Sequence, residues 1–517
     1  MGCTFANGES VPPPTSTTVR VIQSTPVPTF NRALQQIATP IPDPTNTATV
    51  MDCQATAGQP TTRHTVNAEI DYAAHSVEVE QQVRYINRGN ERLTEIMFNV
   101  EPNRIAGAFT MENIEFAQGV PVPAYELTGR RLVVELNEPL APGCAVELVL
   151  HFRLTVPPVG EGVNGYSGYF GYTARQFNLG HWLPTITPRS GGTWITHDFV
   201  AIGEQIVSEI ADWEITLNVA NAPENLTIAA PGEVTEVDDH QWNIIHHNSR
   251  EFSLSMSHQF NVAQQEVNGV NVELYSFDDA LVQTENGTVD GAAHALDIAT
   301  ESLAMFSDLF GDYPHKRFVV VQGDFPDGME LSGLVFVSGD WFRSYTGSPA
   351  GYLTIITVHE VAHQWWYARV GSDQANTPWL DEALATYSEY IYYEEHYPAL
   401  RDWWWQFRVG TFVPPDYTGA TVDSSVYQFS TIREYINAVY LRGARMLDAL
   451  RRDLGTDAFF EWLRRYAEAG ADRIVTPELF WSLLSPSELL RTQQTRETYL
   501  SAADIQADTP EVTADAD

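Results

Sequence analysis

Positive charge is scarce in this 517-residue chain: 29 Lys+Arg face 67 Asp+Glu, a formal net charge of −38, and Lys316 is its single lysine. So acidic a chain has no general attraction for a phosphate backbone, which argues against nucleic acid as a partner. It argues equally against docking on anionic lipid. Long apolar runs are missing too; no stretch approaches the roughly 18 residues of a transmembrane helix. Cysteine is limited to Cys3, Cys53 and Cys144, too few for a disulfide scaffold and without the paired spacing of a zinc knuckle. Cys53 and Cys144 read equally well as one bridge or as two free thiols. No glycine-rich phosphate loop or nucleophile elbow is present, so neither a nucleotide-binding loop nor a serine hydrolase is indicated. Apolar residues are plentiful, 44% of the chain with 11% aromatic, enough for large buried cores.

Pattern changes along the chain divide it into four parts. Residues 1–61 are rich in Pro, Thr and Ser, as in Pro12-Pro13-Pro14 and Asp43-Pro44-Thr45, and read as an extended tether unable to bury enough apolar area to order itself. Gly2-Cys3 at its head matches the start of a bacterial lipoprotein cut from its signal, whereas Ala6 breaks the myristoylation pattern. On that reading the protein is exported, extracellular or cell-surface, with a lipid anchor at Cys3; a plain disordered tail fits the same composition. Residues 62–277 alternate apolar and polar side chains in short runs, among them Ser76–Tyr85, Arg131–Leu136, Ala145–Leu154, Trp213–Val219 and Val270–Tyr275. Turn-rich segments such as 87–90 and 137–143 separate them. This predicts a β-rich, sandwich-like domain. Residues 278–500 switch to helical period, with helices expected over 293–309, 352–370, 380–395, 431–453 and 459–467, and short strands over 318–322 and 333–337. The last part, 501–517, is acidic and without a base, a frayed tail. The fold class expected is thus multidomain α+β: a β-rich N-terminal domain, then a mainly helical one.

The chemistry sits in His359-Glu360-Val361-Ala362-His363. Residues four apart share a helix face, so both imidazoles can bind one ion, and Glu360 on the adjacent edge can reach a water held there. A catalytic zinc needs a third protein ligand. Glu382 lies nineteen residues on, in Trp379-Leu380-Asp381-Glu382-Ala383, but Asp373, Asp381, Glu389, Glu394 and Glu395 compete with it, and spacing alone does not choose. The aromatic run Trp403-Trp404-Trp405 with Phe407 reads either as cleft lining or, more simply, as helix packing.

With HExxH, eighteen residues and then Glu, the sequence resembles the aminopeptidase N family of zinc metallopeptidases, the gluzincins with a thermolysin-like catalytic domain. The resemblance implies a catalytic Zn2+ held by His359, His363 and Glu382, with Glu360 as general base. Upstream, Gly328-Met329-Glu330 resembles the family's GxMEN motif, which implies substrate binding by these residues and capture of the free α-amine by Glu330. Downstream, Tyr440-Leu441-Arg442-Gly443-Ala444 resembles Tyr-x-Lys-Gly-Ala, implying oxyanion stabilisation by Tyr440; Tyr435 is aligned with a second tyrosine of some members. The implied function is removal of N-terminal residues from peptides. The sequence departs from the pattern at Asp327 (glycine in the motif), Leu331 (asparagine), Asp381 (asparagine), Ala383 (glycine) and Arg442 (lysine). These departures, and no room for the large helical C-terminal domain of many members, leave a zinc endopeptidase with an open cleft as one rival. A non-catalytic extracellular binding module on the same fold is the other.

Overall fold

The computed structural model describes residues 19–21, 51–53, 61–160 and 168–501. Cys3, most of the tether and the acidic tail after Ser501 lie outside them. Among the described residues no helix is long and apolar enough to cross a membrane.

The N-terminal part is built from strands whose alternation separates two faces. In Thr62–Asp71, Val66, Ala68 and Ile70 are buried while Asn67 and Glu69 face out. This strand pairs antiparallel with Ser76–Ile86 and parallel with Ala211–Ala220, at the centre of a nine-stranded sheet. Its inner face shares one core with a five-stranded sheet carrying Ile96, Phe98, Leu132 and Val134, the sandwich the alternation predicts. Strand Arg131–Leu140 runs through 137–140, four residues expected to be turn; Leu140 is buried and pairs with Leu93, so its burial extends the strand. Cys53 and Cys144 form a disulfide, which resolves the two readings of that pair. Next to it Met51–Asp52 adds to the start of Ala145–Thr155.

The strands just before the expected division at 277 do not join the sandwich. Asn261–Val267 and Val270–Ser276 are strands, but they pair into a five-stranded sheet with Arg317–Gly323, Leu334–Ser338 and, at its edge, Gly328–Leu331. Its inner strands Arg317–Gly323 and Leu334–Ser338 are buried on both faces, which is why they read as continuous apolar runs, whereas the edge strand Asn261–Val267 is largely exposed. Phe318 and Val320 face the helices, whereas Val319 and Val321 face the N-terminal core. The sheet is the floor common to both parts, and strand period alone does not show which neighbour a strand pairs with.

On its helical side lie Gly291–Phe310, capped by the Asp290 carboxylate accepting from the Ala293 amide, then Tyr352–Ala362 and Trp379–His396. Every residue from Leu353 to Ala362 is buried, so the central helix is enclosed on all sides. The helix expected to reach Val370 stops at Ala362. Trp366 and Tyr367 leave helical geometry, and Val370–Ser372 becomes a strand paired with Arg473–Val475. The segment beyond the break is held by Arg250, whose buried guanidinium donates to the carbonyls of Tyr367, Arg369, Arg473 and Ser208.

Candidate active site

His359 sits in the last turn of Tyr352–Ala362 and His363 caps its end. The facing helix, Trp379–His396, carries Glu382 in its first turn. His359 Nε2 lies 3.2 Å from Glu382 Oε2, and His363 Nε2 lies 3.7 Å from the same oxygen. A tetrahedral ion with ligands at about 2.0–2.1 Å holds them about 3.3 Å apart, so these separations frame one zinc ion. Among the acids competing for the third position, Glu382 is the one whose oxygen groups with both imidazoles.

Both imidazoles are fixed from behind. His359 Nδ1 donates to Glu389 Oε1 at 2.9 Å, and Glu389 is held by Arg408 (two bonds of 2.9 Å) and by Trp404 Nε1. His363 Nδ1 donates to Asp381 Oδ1 at 2.6 Å, and Gln374 holds the other Asp381 oxygen. Such carboxylate–imidazole pairs set the tautomer that leaves Nε2 for the ion. Glu389 and Asp381 were named in the sequence only as competitors for the ligand position; Glu389 lies seven residues, two helical turns, after Glu382, a spacing that puts both on one face. Trp404 is buried and packs, as the simpler reading of the tryptophan run expects.

The electrostatics call for a cation. Burial opposes charge on His363, yet Asp381, Glu330 and Glu382 hold its pKa well above the usual imidazole value. Burial likewise raises carboxyl pKa values, yet His359, His363 and Tyr440 hold Glu382 below its ordinary value. Glu360 is different: burial pushes its carboxyl up to about 7, and its Oε2 is a buried atom with no hydrogen-bond partner. A carboxylate in that state is suited to take up a proton near neutral pH.

Glu330 is buried beside it, its Oε1 also unpartnered. Burial, followed by the Glu204 carboxylate, drives its pKa well above the ordinary value. Carboxylate oxygens of Glu204, Glu330 and Glu382 fall within 4.8 Å of one another. Glu204 was not found in the sequence, and no motif could reveal it. It comes from a loop of the N-terminal part, docked by the Tyr427 hydroxyl donating to the Asp198 carbonyl and by Gly203 lying against Tyr435.

Of the other two residues to which the resemblance gives substrate contact, Met329 turns its side chain away from the site and Gly328 lies beside it. Met329 is buried in the core shared with the N-terminal part, because alternate residues of the edge strand face opposite sides. Leu331 is buried there too. Gly328 lies against Glu360: a Cβ at this position would sit 2.0 Å from Glu360 Oε1. Tyr440 stacks parallel to the His359 ring at 5.8 Å and hydrogen-bonds Glu382. It rides on a π-helical turn, Ile436–Leu441, inside the expected helix, which starts at Ile432 and ends at Leu454; such turns re-aim side chains at functional sites. Two residues carry its helix close to that of Glu382: a Cβ on Gly443 would lie 2.4 Å from Ala383 Cβ. The alanine that replaces a family glycine is thus accommodated by a glycine opposite it.

Residues 294–499 match the Peptidase family M1 domain. The chain is 27% identical over 218 residues to "Aminopeptidase M1-D" of Oryza sativa subsp. japonica, covering 39% of this chain and 24% of that protein. It is 29% identical over 236 residues to "Endoplasmic reticulum aminopeptidase 1" of Homo sapiens, covering 42% and 23%. The matches thus span about a quarter of the length of these curated relatives. The fold resembles a crystal structure of an M1 zinc metallopeptidase from Deinococcus radiodurans, with TM-score 0.60 and 18% identity over 86% of this chain and 94% of that one. A mutant of the D. radiodurans protein bound to a Tyr-ser-ala substrate gives 0.59 and 17%, over 87% and 94%. At such identities the structural likeness is one of fold, and that fold has the same two parts. Residues 294–499 thus carry a peptidase family M1 domain, and by that domain and the site it holds the chain is similar to the aminopeptidase N family of gluzincin zinc metallopeptidases.

Proposed function

We propose that this protein is a zinc-dependent aminopeptidase that removes residues from peptides with a free N-terminus. The observation that carries the reading is the acid pair Glu204 and Glu330, set beside His359, His363 and Glu382 and within 4.8 Å of Glu382. Burial and then a neighbouring carboxylate, Glu204 for Glu330 and Glu382 for Glu204, raise the pKa of both acids; a cation relieves them, and a substrate ammonium supplies it through charge-assisted hydrogen bonds. An amine fixed there limits how much chain lies upstream of the cleaved bond.

The residues fit one catalytic zinc: two imidazoles, one carboxylate, carboxylate partners behind the imidazoles, and an unpartnered acid beside them. When bound, the ion supplies Lewis acidity to the attacking water and the scissile carbonyl. Glu360 accepts the water's proton and returns it to the departing amine. Tyr440 donates its hydroxyl to the developing oxyanion, an interaction worth about 3–4 kcal/mol for a well-placed donor. Similarity to relatives named aminopeptidases supports the same reading.

The test is a panel of aminoacyl fluorogenic substrates and peptides, with chelator and with zinc restored, alongside metal analysis. Stoichiometric zinc, hydrolysis lost on chelation and regained with zinc, and no hydrolysis of N-acetylated twins are expected. Equal rates on acetylated and free peptides would establish an endopeptidase. A protein that holds zinc but cleaves neither kind would be the binding module. Glu360→Gln should keep the metal and lose turnover.

A further inference from the structure

The cleft has a direction that its side chains define. The acids that would hold a substrate amine, Glu204 and Glu330, group with Glu382 and lie in the field of His363. Asp327 immediately precedes Gly328, which lies against Glu360, and stands in the field of His359, Arg408 and Arg433 rather than of His363. A chain anchored by its amine at the His363 end therefore passes Glu360 and next meets Asp327. If the amine end binds the first residue, Asp327 faces the second.

Three observations make Asp327 a reader of that residue. Its backbone is left-handed, with φ of 66°, a conformation natural to glycine, which the family motif places there, and tolerated by Asp. The turn takes it out of the alternation that sends Met329 into the N-terminal core, and Asp327 is exposed. Finally, among the described residues its carboxylate has no hydrogen bond or ion pair, while its neighbours are committed elsewhere: Arg408 is bound twice by Glu389, and Arg433 lies over the Phe412 ring at 4.4 Å. A charge in a cleft with no partner is available to a substrate.

We propose that Asp327 is a specificity-determining residue that favours peptides with a cationic side chain immediately after the scissile bond. This inference rests on the aminopeptidase reading. Arg433, whose charge acts on Asp327 from its place over the Phe412 ring, opposes the preference, so its removal should sharpen it.

The experiment uses the full chain loaded with zinc and three free-amine peptides, Ala-Lys-Ala, Ala-Glu-Ala and Ala-Ala-Ala, with release of the first alanine as the signal. Wild type should show kcat/KM for the lysine peptide roughly five- to tenfold above that for the glutamate peptide, expressed in KM. Asp327→Asn, which keeps the backbone conformation and removes the charge, should bring the ratio close to one. Asp327→Glu should restore it in part, Asp327→Lys should invert it, and Arg433→Gln should raise it. A wild-type ratio within twofold of one, or a preference that survives Asp327→Asn, overturns the inference and leaves the aminopeptidase reading standing. Hydrolysis of none of the three peptides overturns both.

Discussion

Gly328 and Glu360 touch where neither has room to spare: a Cβ added to Gly328 would lie 2.0 Å from the Glu360 Oε1 atom. The glycine of the edge strand therefore keeps space for the carboxylate assigned as general base. Gly328→Ala must displace it. Because a misplacement of about 1 Å can cost ~100-fold, kcat should fall by about 10–100-fold with the melting temperature little changed. Steady-state kinetics beside a thermal melt checks this, and full activity in the alanine variant would refute the steric account.

Glu389 and Asp381 act on the metal through the imidazoles. Glu389→Gln or Asp381→Asn should weaken zinc binding by about 10–100-fold, read from the chelator concentration that strips the ion. Since each carboxylate touches one imidazole only, the two losses should come close to adding in free energy.

Arg250 joins the two parts of the chain. Its guanidinium satisfies one carbonyl of the N-terminal part, Ser208, and three of the catalytic part, and Gly371 is shaped to it, since a Cβ there would meet its Cζ at 2.3 Å. Arg250→Met leaves buried carbonyls without donors, at a cost of roughly 3–5 kcal/mol. Denaturant unfolding should register that loss, together with weaker zinc retention, because two of those carbonyls end the segment that follows His363.

Acid should act on the N-terminal part through His64. Its ring stacks on Trp213 at 3.9 Å, its Nδ1 is 2.8 Å from the Gln81 amide, and burial lowers its pKa to about 3. The folded protein keeps His64 neutral, while the unfolded chain takes a proton near pH 6.5, so the unfolded state binds more protons between those values. Stability contributed by this group is complete above pH 6.5 and declines as pH falls toward 3, with a slope near 1.4 kcal/mol per pH unit. His64→Phe should flatten the acid limb of a stability-against-pH curve between about 6 and 4.

The net charge of −38 predicts that the field around the molecule gathers substrates bearing a free ammonium group. Their kcat/KM should fall as salt is raised from low to physiological strength and above. A flat response would reduce the acidity to a matter of solubility.

Much of this was legible in one dimension because it rests on local periodicity. The i, i+4 spacing of His359 and His363 places them on one face of any helix, and strict alternation in Thr62–Asp71 dictates which side chains go inside whatever the strand pairs with. Glu382 became the third ligand by motif resemblance; helix packing then grouped it with both imidazoles and gave Glu389 and Asp381 their places behind them. What tertiary structure alone decided has no sequence period. Glu204 enters the site from a distant loop of the other part. The helix over 352–362 stops short of Val370, and the segment after it is held by Arg250 of the other part. Strand 270–276 leaves the domain its alternation resembles for the sheet beneath the helices. Met329 turns away from the cleft its motif lines. Each outcome depends on which surfaces meet and which buried polar groups must find partners, and those are conditions on neighbours in space rather than on neighbours along the chain.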